Sequence, residues 1–145
     1  MTSDFCVAVH ALVYLNHKAC VLSSEELAQN ICTNPARVRK VMAKLKKSGF
    51  LETREGSSGG YRFERDPAGV TLSALAEALD IRFVDTAWKS GDKELECLIA
   101  SGMGDLMADV FDDLNTRCME RLGQITIADL DEKIFIKPVS GADNK

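Results

Sequence analysis

The stretch Asn34-Pro35-Ala36-Arg37-Val38-Arg39-Lys40-Val41-Met42-Ala43-Lys44-Leu45-Lys46-Lys47-Ser48-Gly49 decides the reading of this chain. Asn34 followed by Pro35 is a strong helix start, because an Asn side chain accepts a first-turn amide and proline brings a helical φ without needing its own N–H bonded. Val38, Val41, Met42 and Leu45 stand at i, i+3, i+4 and i+7 and define one apolar face. Arg37, Lys40, Lys44 and Lys47 recur at 3-4-3 spacing and define a basic face. Gly49 ends the helix as its C-terminal glycine. One helix from Pro35 to Ser48 is thus predicted to carry a core stripe and a cationic stripe on opposite sides.

Working toward the N-terminus, Ser23-Ser24-Glu25-Glu26 fits a capping box, with the Ser23 hydroxyl accepting from the Glu26 amide and that carboxylate reaching back. Leu27, Ala28 and Ile31 give that helix its apolar side, and a short link through Cys32 and Thr33 joins it to Asn34. An earlier helix over 4–17 is predicted from Phe5, Val9, Leu12 and Val13, with Ala8 beside them. Its two histidines, His10 and His17, read as solvated or hydrogen-bonded helix residues, with no Cys/His cluster around them.

Toward the C-terminus, Phe50–Arg54 and Tyr61–Glu64 read as two short strands joined by the glycine-rich tip Glu55-Gly56-Ser57-Ser58-Gly59-Gly60. Helix, turn, helix and hairpin in this order describe a winged helix-turn-helix. Pro67-Ala68-Gly69 is a turn, and Thr71 caps a short helix to about Leu79. Residues 80–100 show no clear period, and Trp88 and Lys89-Ser90-Gly91-Asp92 suggest a loop. A long amphipathic helix is predicted from about Gly104 to Leu122, with Leu106, Met107, Val110, Phe111, Leu114, Cys118 and Leu122 apolar, ending at Gly123-Gln124. Thr126 then caps one more turn or short helix. The expected fold is mainly α with a small β-hairpin wing, followed by a long C-terminal dimerisation helix. Residues 1–80 form the DNA-binding domain, 81–136 the linker and dimerisation region, and 137–145 a disordered tail.

The net charge of −4 is unevenly spread. Residues 1–65 carry 10 basic and 6 acidic side chains, whereas 66–145 carry 8 basic and 16 acidic. Within 33–54 there are 7 basic residues against 1 acidic, enough for a local positive field around a phosphate backbone. The expected DNA contacts are Asn34, Ala36, Arg37, Lys40 and Lys44 from the helix. From the wing they are Arg54, Ser57, Ser58, Gly59, Gly60 and Tyr61. Arg37 and Lys40 lie in the N-terminal half, which normally enters the major groove deepest, and Ala36 offers a methyl to thymine. Tyr61 reads either as a phosphate contact or, more often for an aromatic after a hairpin glycine, as packing across the strands.

An apolar face as long as that of the last long helix exceeds what so small a domain can cover, so a second subunit is the expected partner. The chain shows no run of about 18 apolar residues and no signal-peptide pattern, which implies a cytoplasmic protein that does not span the membrane. Five cysteines, Cys6, Cys20, Cys32, Cys97 and Cys118, are odd in number and widely spaced, so neither a disulfide framework nor a zinc ribbon is indicated. Most are expected to be buried. Cys97, near the junction of the two halves, is the candidate sensing residue, although Glu94 and Glu96 close by do not favour a thiolate. No Ser/His/Asp set, phosphate loop, catalytic carboxylate pair or metal cluster is present, so an enzyme is not expected.

In this order the motifs resemble the bacterial IscR/NsrR/CymR group of regulators, the Rrf-two family. The resemblance runs over about residues 3–135. It is carried by Phe5-Cys6-Val7-Ala8-Val9-His10-Ala11-Leu12, Ser24-Glu25-Glu26-Leu27-Ala28, Arg37–Val41, Leu45–Leu51, Arg54 with Gly59-Gly60-Tyr61, and Ile125–Leu130. It implies a dimeric repressor or activator with a winged helix and a long dimerisation helix. Members with an iron–sulfur cluster hold it with three closely spaced cysteines and one further ligand. Here Cys97 stands alone in that region, so the chain is similar to the cluster-free branch and no cofactor is expected. The wing is one residue longer than the usual form, with Glu55 in place of its first glycine. The sequence therefore predicts a dimeric regulator, in the sense of a repressor, whose affinity for double-stranded DNA is set by thiol modification or a small-molecule effector. The competing reading is a protein–protein interaction module that uses the amphipathic C-terminal helix and no DNA.

Overall fold

A computed structural model describes residues 2–135. Six helices and one hairpin follow in order: α1 (Thr2–Lys18), α2 (Ser24–Ile31), α3 (Pro35–Lys47), β1 (Glu52–Arg54), β2 (Gly60–Arg62), α4 (Leu72–Ala78), α5 (Leu98–Leu122) and α6 (Ile127–Phe135). The expected disordered tail at 137–145 lies outside the described residues.

The capping chemistry sets the element boundaries. Ser23 Oγ accepts from the Glu26 amide at 3.1 Å and Glu26 Oε1 accepts from the Ser23 amide at 3.1 Å, which closes the capping box of α2. Asn34 Oδ1 accepts from the Arg37 amide at 2.8 Å with Pro35 in the first turn of α3. Gly49 takes φ +82 just past the end of α3, a left-handed conformation that a side chain disfavours. Thr71 caps α4 through the Ala74 amide. Thr126 and Asp129 exchange side-chain-to-amide bonds at the start of α6.

The core is built from α1 to α4. Leu12 and Leu15 of α1, Leu27 of α2, Val38, Val41, Met42 and Leu45 of α3, and Leu75 of α4 are shut away from solvent, and Phe50, Leu51 and Phe63 close the hairpin base onto them. All four members of the predicted apolar stripe of α3 are buried. The C-terminal segment returns to this core. Thr71 pairs with Thr126 in an antiparallel bridge, Leu72 N–H donates to Ile125 C=O, and Ile127 is 0% exposed. Helix α6, which sequence order places with the dimerisation region, is thereby packed on α1. Asn16 donates to Asp131 at 2.6 Å, and the His17 ring stacks on Phe135 at 3.8 Å. His10 meets Asn30 at 2.7 Å.

Helix α5 begins at Leu98, six residues before the predicted start near Gly104. Gly102 and Gly104 weaken local helix preference, and this hid the first turns in the sequence. The preceding loop supports them: Asp92 N–H donates to Ala100 C=O, and Lys89 and Lys93 both pair with Asp105. Further along, Asn115 is buried and latches residues 83–84 to the helix. Its Oδ1 accepts from the amides of Phe83 and Val84 at 3.0 and 2.9 Å, and its Nδ2 donates to Val84 C=O. Phe83 in turn meets Phe5 of α1 edge to face, with ring centroids 5.1 Å apart. Asn115→Ala should therefore lower stability by about 2 kcal/mol, because three backbone groups lose their partner. Urea unfolding checks this: the midpoint should fall with the slope unchanged, and an unshifted midpoint would mean that water replaces the amide without cost.

Only the C-terminal part of α5 touches the core, through Met119 and Leu122. Its middle and N-terminal parts are bare. Leu98, Ile99, Met103, Leu106, Met107, Val110 and Leu114 are all exposed, with Leu98 at 85% and Leu106 at 60%. Seven large apolar side chains on one helix form an unpartnered face of the kind that marks an interaction surface.

Candidate nucleic-acid interface

With about 100° between successive residues, the core stripe of α3 centres between Val38 and Val41, and the direction opposite to it is held by Ala36, Lys40, Ala43 and Lys47. These four are exposed. Lys44 is also exposed and lies on one flank of that line. Arg37 departs from the expectation of a free cation. Its Nε and Nη2 both donate to Asp4 Oδ1 of α1 at 3.1 Å, and the guanidinium is half-buried there. This partner lies thirty-three positions away, so α3 taken alone gives no sign of it.

On the opposite flank stands Arg39, which the sequence reading did not assign. Its Nη1 donates to Ser24 Oγ at 3.2 Å and to Glu25 Oε2 at 3.3 Å, joining α3 to the start of α2. The signal that could have found it was the pair of carboxylates at the capping box, aimed at the neighbouring helix.

The wing is fastened at the same junction. β1 and β2 pair antiparallel, with Glu52 opposite Arg62, Thr53 opposite Tyr61 and Arg54 opposite Gly60. Tyr61 also exchanges both backbone bonds with Leu22, at 2.8 and 3.0 Å, so the residue just before α2 acts as a third strand position. Gly60 is required here by close approach: a Cβ on it would lie 2.2 Å from Leu22 C=O. Tyr61 is half-buried and packs against the core rather than standing free. Burial pushes its phenol above the ordinary tyrosine value, Arg39 opposes that rise, and Glu25 adds to it. The tip is closed by Gly59 N–H donating to Gly56 C=O at 3.0 Å, with Ser57, Ser58 and Arg54 exposed. The structure thus brings together Arg39, Tyr61, Gly60 and the start of α2, while Arg37 is drawn away toward α1.

The cysteines differ from expectation. Cys6, Cys20, Cys32 and Cys97 are exposed and Cys118 is half-buried. These four sit at helix ends, on an outer helix side or beside turns, positions that apolar periodicity does not identify. Cys97 occupies the N-cap position of α5. No capping hydrogen bond of normal geometry reaches its Sγ, but the first-turn amides of Ala100 and then Ile99 hold its thiol below the ordinary cysteine value. The sequence weighed only the nearby Glu94 and Glu96, because it began the helix later and so placed no first-turn amides beside Cys97.

Comparison with known proteins gives a consistent result. The model of the Rrf2 family, described as "Iron-dependent Transcriptional regulator", matches residues 1–133. YwnA of Bacillus subtilis (strain 168), named as an HTH-type transcriptional regulator, is 33% identical over 81 residues, which are 54% of this chain and 58% of YwnA. The chain therefore spans a little over half the length of that curated relative. Among solved structures, a transcriptional regulator from Lactobacillus plantarum is 29% identical with a TM-score of 0.83, covering 92% of this chain and 91% of that one. IscR of T. potens is 17% identical with a TM-score of 0.70, over 98% of this chain and 93% of that one. CymR, the global cysteine regulator of B. subtilis, is 16% identical with a TM-score of 0.66, over 91% of this chain and 95% of that one. These last two share the fold.

Among the described residues no three His, Cys, Asp or Glu side chains converge as a metal site, and Cys97 has no second thiol or imidazole beside it in sequence. With a match that runs through α1 to α6, and with the wing and the long helix in the expected order, the chain belongs to the Rrf2 family of transcriptional regulators.

Proposed function

We propose that this protein is a homodimeric repressor that binds duplex DNA through α3 and the wing, acts in the cytoplasm and carries no iron–sulfur cluster. Its DNA affinity is set by modification of the Cys97 thiol or by a small ligand. It is read as a regulator and not as an enzyme. The observation that carries this reading is the outward line Ala36, Lys40, Ala43 and Lys47 on a capped helix, with the wing fastened by Leu22 just before the start of α2, which Arg39 joins to α3. Such a line presents cations to phosphates and small side chains to base edges. The bare face of α5 supports pairing with a second copy, which would offer two α3 helices to two half-sites. Among the described residues no helix is long and apolar enough to cross a membrane.

The test is fluorescence anisotropy with the duplex upstream of the gene, against non-specific competitor, in matched reduced and mildly oxidised samples. Specific binding that changes at least tenfold and reversibly with oxidation, and that Cys97→Ser makes insensitive, supports the thiol switch. Equal specific binding in both states rejects it and leaves the small ligand. The bare α5 face equally suits a different protein as partner; absence of even low-salt duplex affinity would leave that reading alone.

A further inference from the structure

Helix α3 carries two arginines, and the fold engages them differently. Arg37 gives Nε and Nη2, the two donors of one guanidinium edge, to Asp4. Arg39 is held only by its other terminal nitrogen. Its Nη1 donates to Ser24 Oγ at 3.2 Å and to Glu25 Oε2 at 3.3 Å, and the Ser24 hydroxyl donates to Glu25 Oε1 at 3.2 Å. These three bonds close a ring at the start of α2, and Ser24 within it is buried. Among the described residues Nε and Nη2 of Arg39 have no hydrogen-bond partner, and the side chain is 53% exposed. At about 100° per residue, Arg39 stands about 70° round α3 from the outward line, on the side of α2. The wing reaches the same place, since Arg39 and Glu25 both act on the Tyr61 phenol.

We infer that Arg39 reads one guanine of each half-site in the major groove through its free Nε–Nη2 edge, and that Ser24 and Glu25 are positioning residues that aim it. Two parallel N–H donors on a planar group match O6 and N7 of guanine, and no other base presents two acceptors side by side in that groove. The lysines of the outward line are point charges without such a fork, and the fork of Arg37 is occupied. Glu25 already offsets the charge of Arg39, which makes it a weak phosphate contact and leaves it directional donation. A guanidinium anchored before binding also loses less freedom when it docks. The inference rests on the DNA-binding function proposed above and deepens it by naming the residue that reads a base.

Selection of duplexes by the full chain, from a pool randomised across both half-sites, tests it, with Arg39→Ala and Arg39→Lys selected in parallel. The wild-type motif should hold a guanine in each half, and both variants should lose preference at that position while keeping the others. In anisotropy titrations of the selected duplex, 7-deazaguanine at that position in both halves removes only the N7 acceptor. It should weaken wild-type binding at least about tenfold and Arg39→Ala binding less than about twofold. Inosine keeps O6 and N7 and should be tolerated. Glu25→Ala should lower the discrimination and raise the salt slope by up to about 0.9, as an uncompensated cation reaches the phosphates.

A wild-type motif without that guanine, an unchanged motif in Arg39→Ala, or full tolerance of 7-deazaguanine would each overturn the assignment. So would a loss in Arg39→Ala that falls equally on every duplex, which is what a purely structural role gives. Undiminished discrimination in Glu25→Ala overturns the positioning role alone. Wild-type protein that binds duplex but enriches no sequence overturns base reading by Arg39, whereas absence of any duplex binding overturns the DNA-binding function beneath it.

Discussion

Leu106→Asp combined with Val110→Asp should convert the protein into folded monomers and lower its affinity for a two-half-site duplex at least about 100-fold, since the second head then no longer binds at raised effective concentration. Both side chains are exposed within one chain, so the substitutions leave the core of α1 to α4 untouched and unfolding should shift little. In the proposed α5-paired dimer the same positions would be covered, and an apolar side chain contributes about 1.5–3 kcal/mol when fully buried. Two carboxylates placed in that seam reverse the sign of the contribution and repel each other across it. Sedimentation velocity reads the mass, circular dichroism the fold and anisotropy the DNA affinity. A variant that remains dimeric would show that the subunits meet elsewhere.

Lys40→Ala combined with Lys47→Ala should weaken specific and non-specific duplex binding together, by about 10- to 100-fold at moderate salt. It should also reduce the slope of log affinity against log salt by about 1.8, which corresponds to two lost phosphate contacts. Both residues sit on the outward line of α3 and make no intramolecular ion pair among the described residues, so their loss should leave stability unchanged. Arg37→Ala should behave differently. It leaves Asp4 half-buried without its guanidinium, so it should destabilise the α1–α3 contact and alter the salt slope less than the lysine pair does. If the slope stays at its original value in the double lysine variant, α3 does not lie along the phosphates.

Local chemistry made much of this architecture legible. The Ser23–Glu26 capping box, Asn34-Pro35 and Thr71 each specify a helix start within a few residues, and each was found where the side chains placed it. The apolar stripe of α3 was legible for the same reason, since an i, i+3, i+4, i+7 pattern needs no knowledge of what packs on it. The start of α5 was not, because Gly102 and Gly104 hide helical preference that contacts from Asp92 and Lys89 restore. The engagement of Arg37 and the junction role of Arg39 were hidden for a related reason: each depends on a carboxylate from another element, brought close only by folding. The cysteines were misplaced because residue type favours burial on average, whereas a thiol at a helix start or in a turn has no core to enter. Packing of α6 on α1 was equally out of reach, since nothing in Ile127–Phe135 names the helix it meets.

The Asn115 latch has a mechanical consequence. Because it binds the linker to α5 near the core, while Met119 and Leu122 anchor the same end, the 25-residue helix is a stiff arm about 37 Å long fixed to the head at its base. A tilt of about 5° at that base moves the far end by about 3 Å, close to the rise of one base pair. Two such arms crossed in a dimer would turn a small repacking at the latch into a change of register between half-sites, so the distance between operator halves is the quantity to which this molecule would be most sensitive.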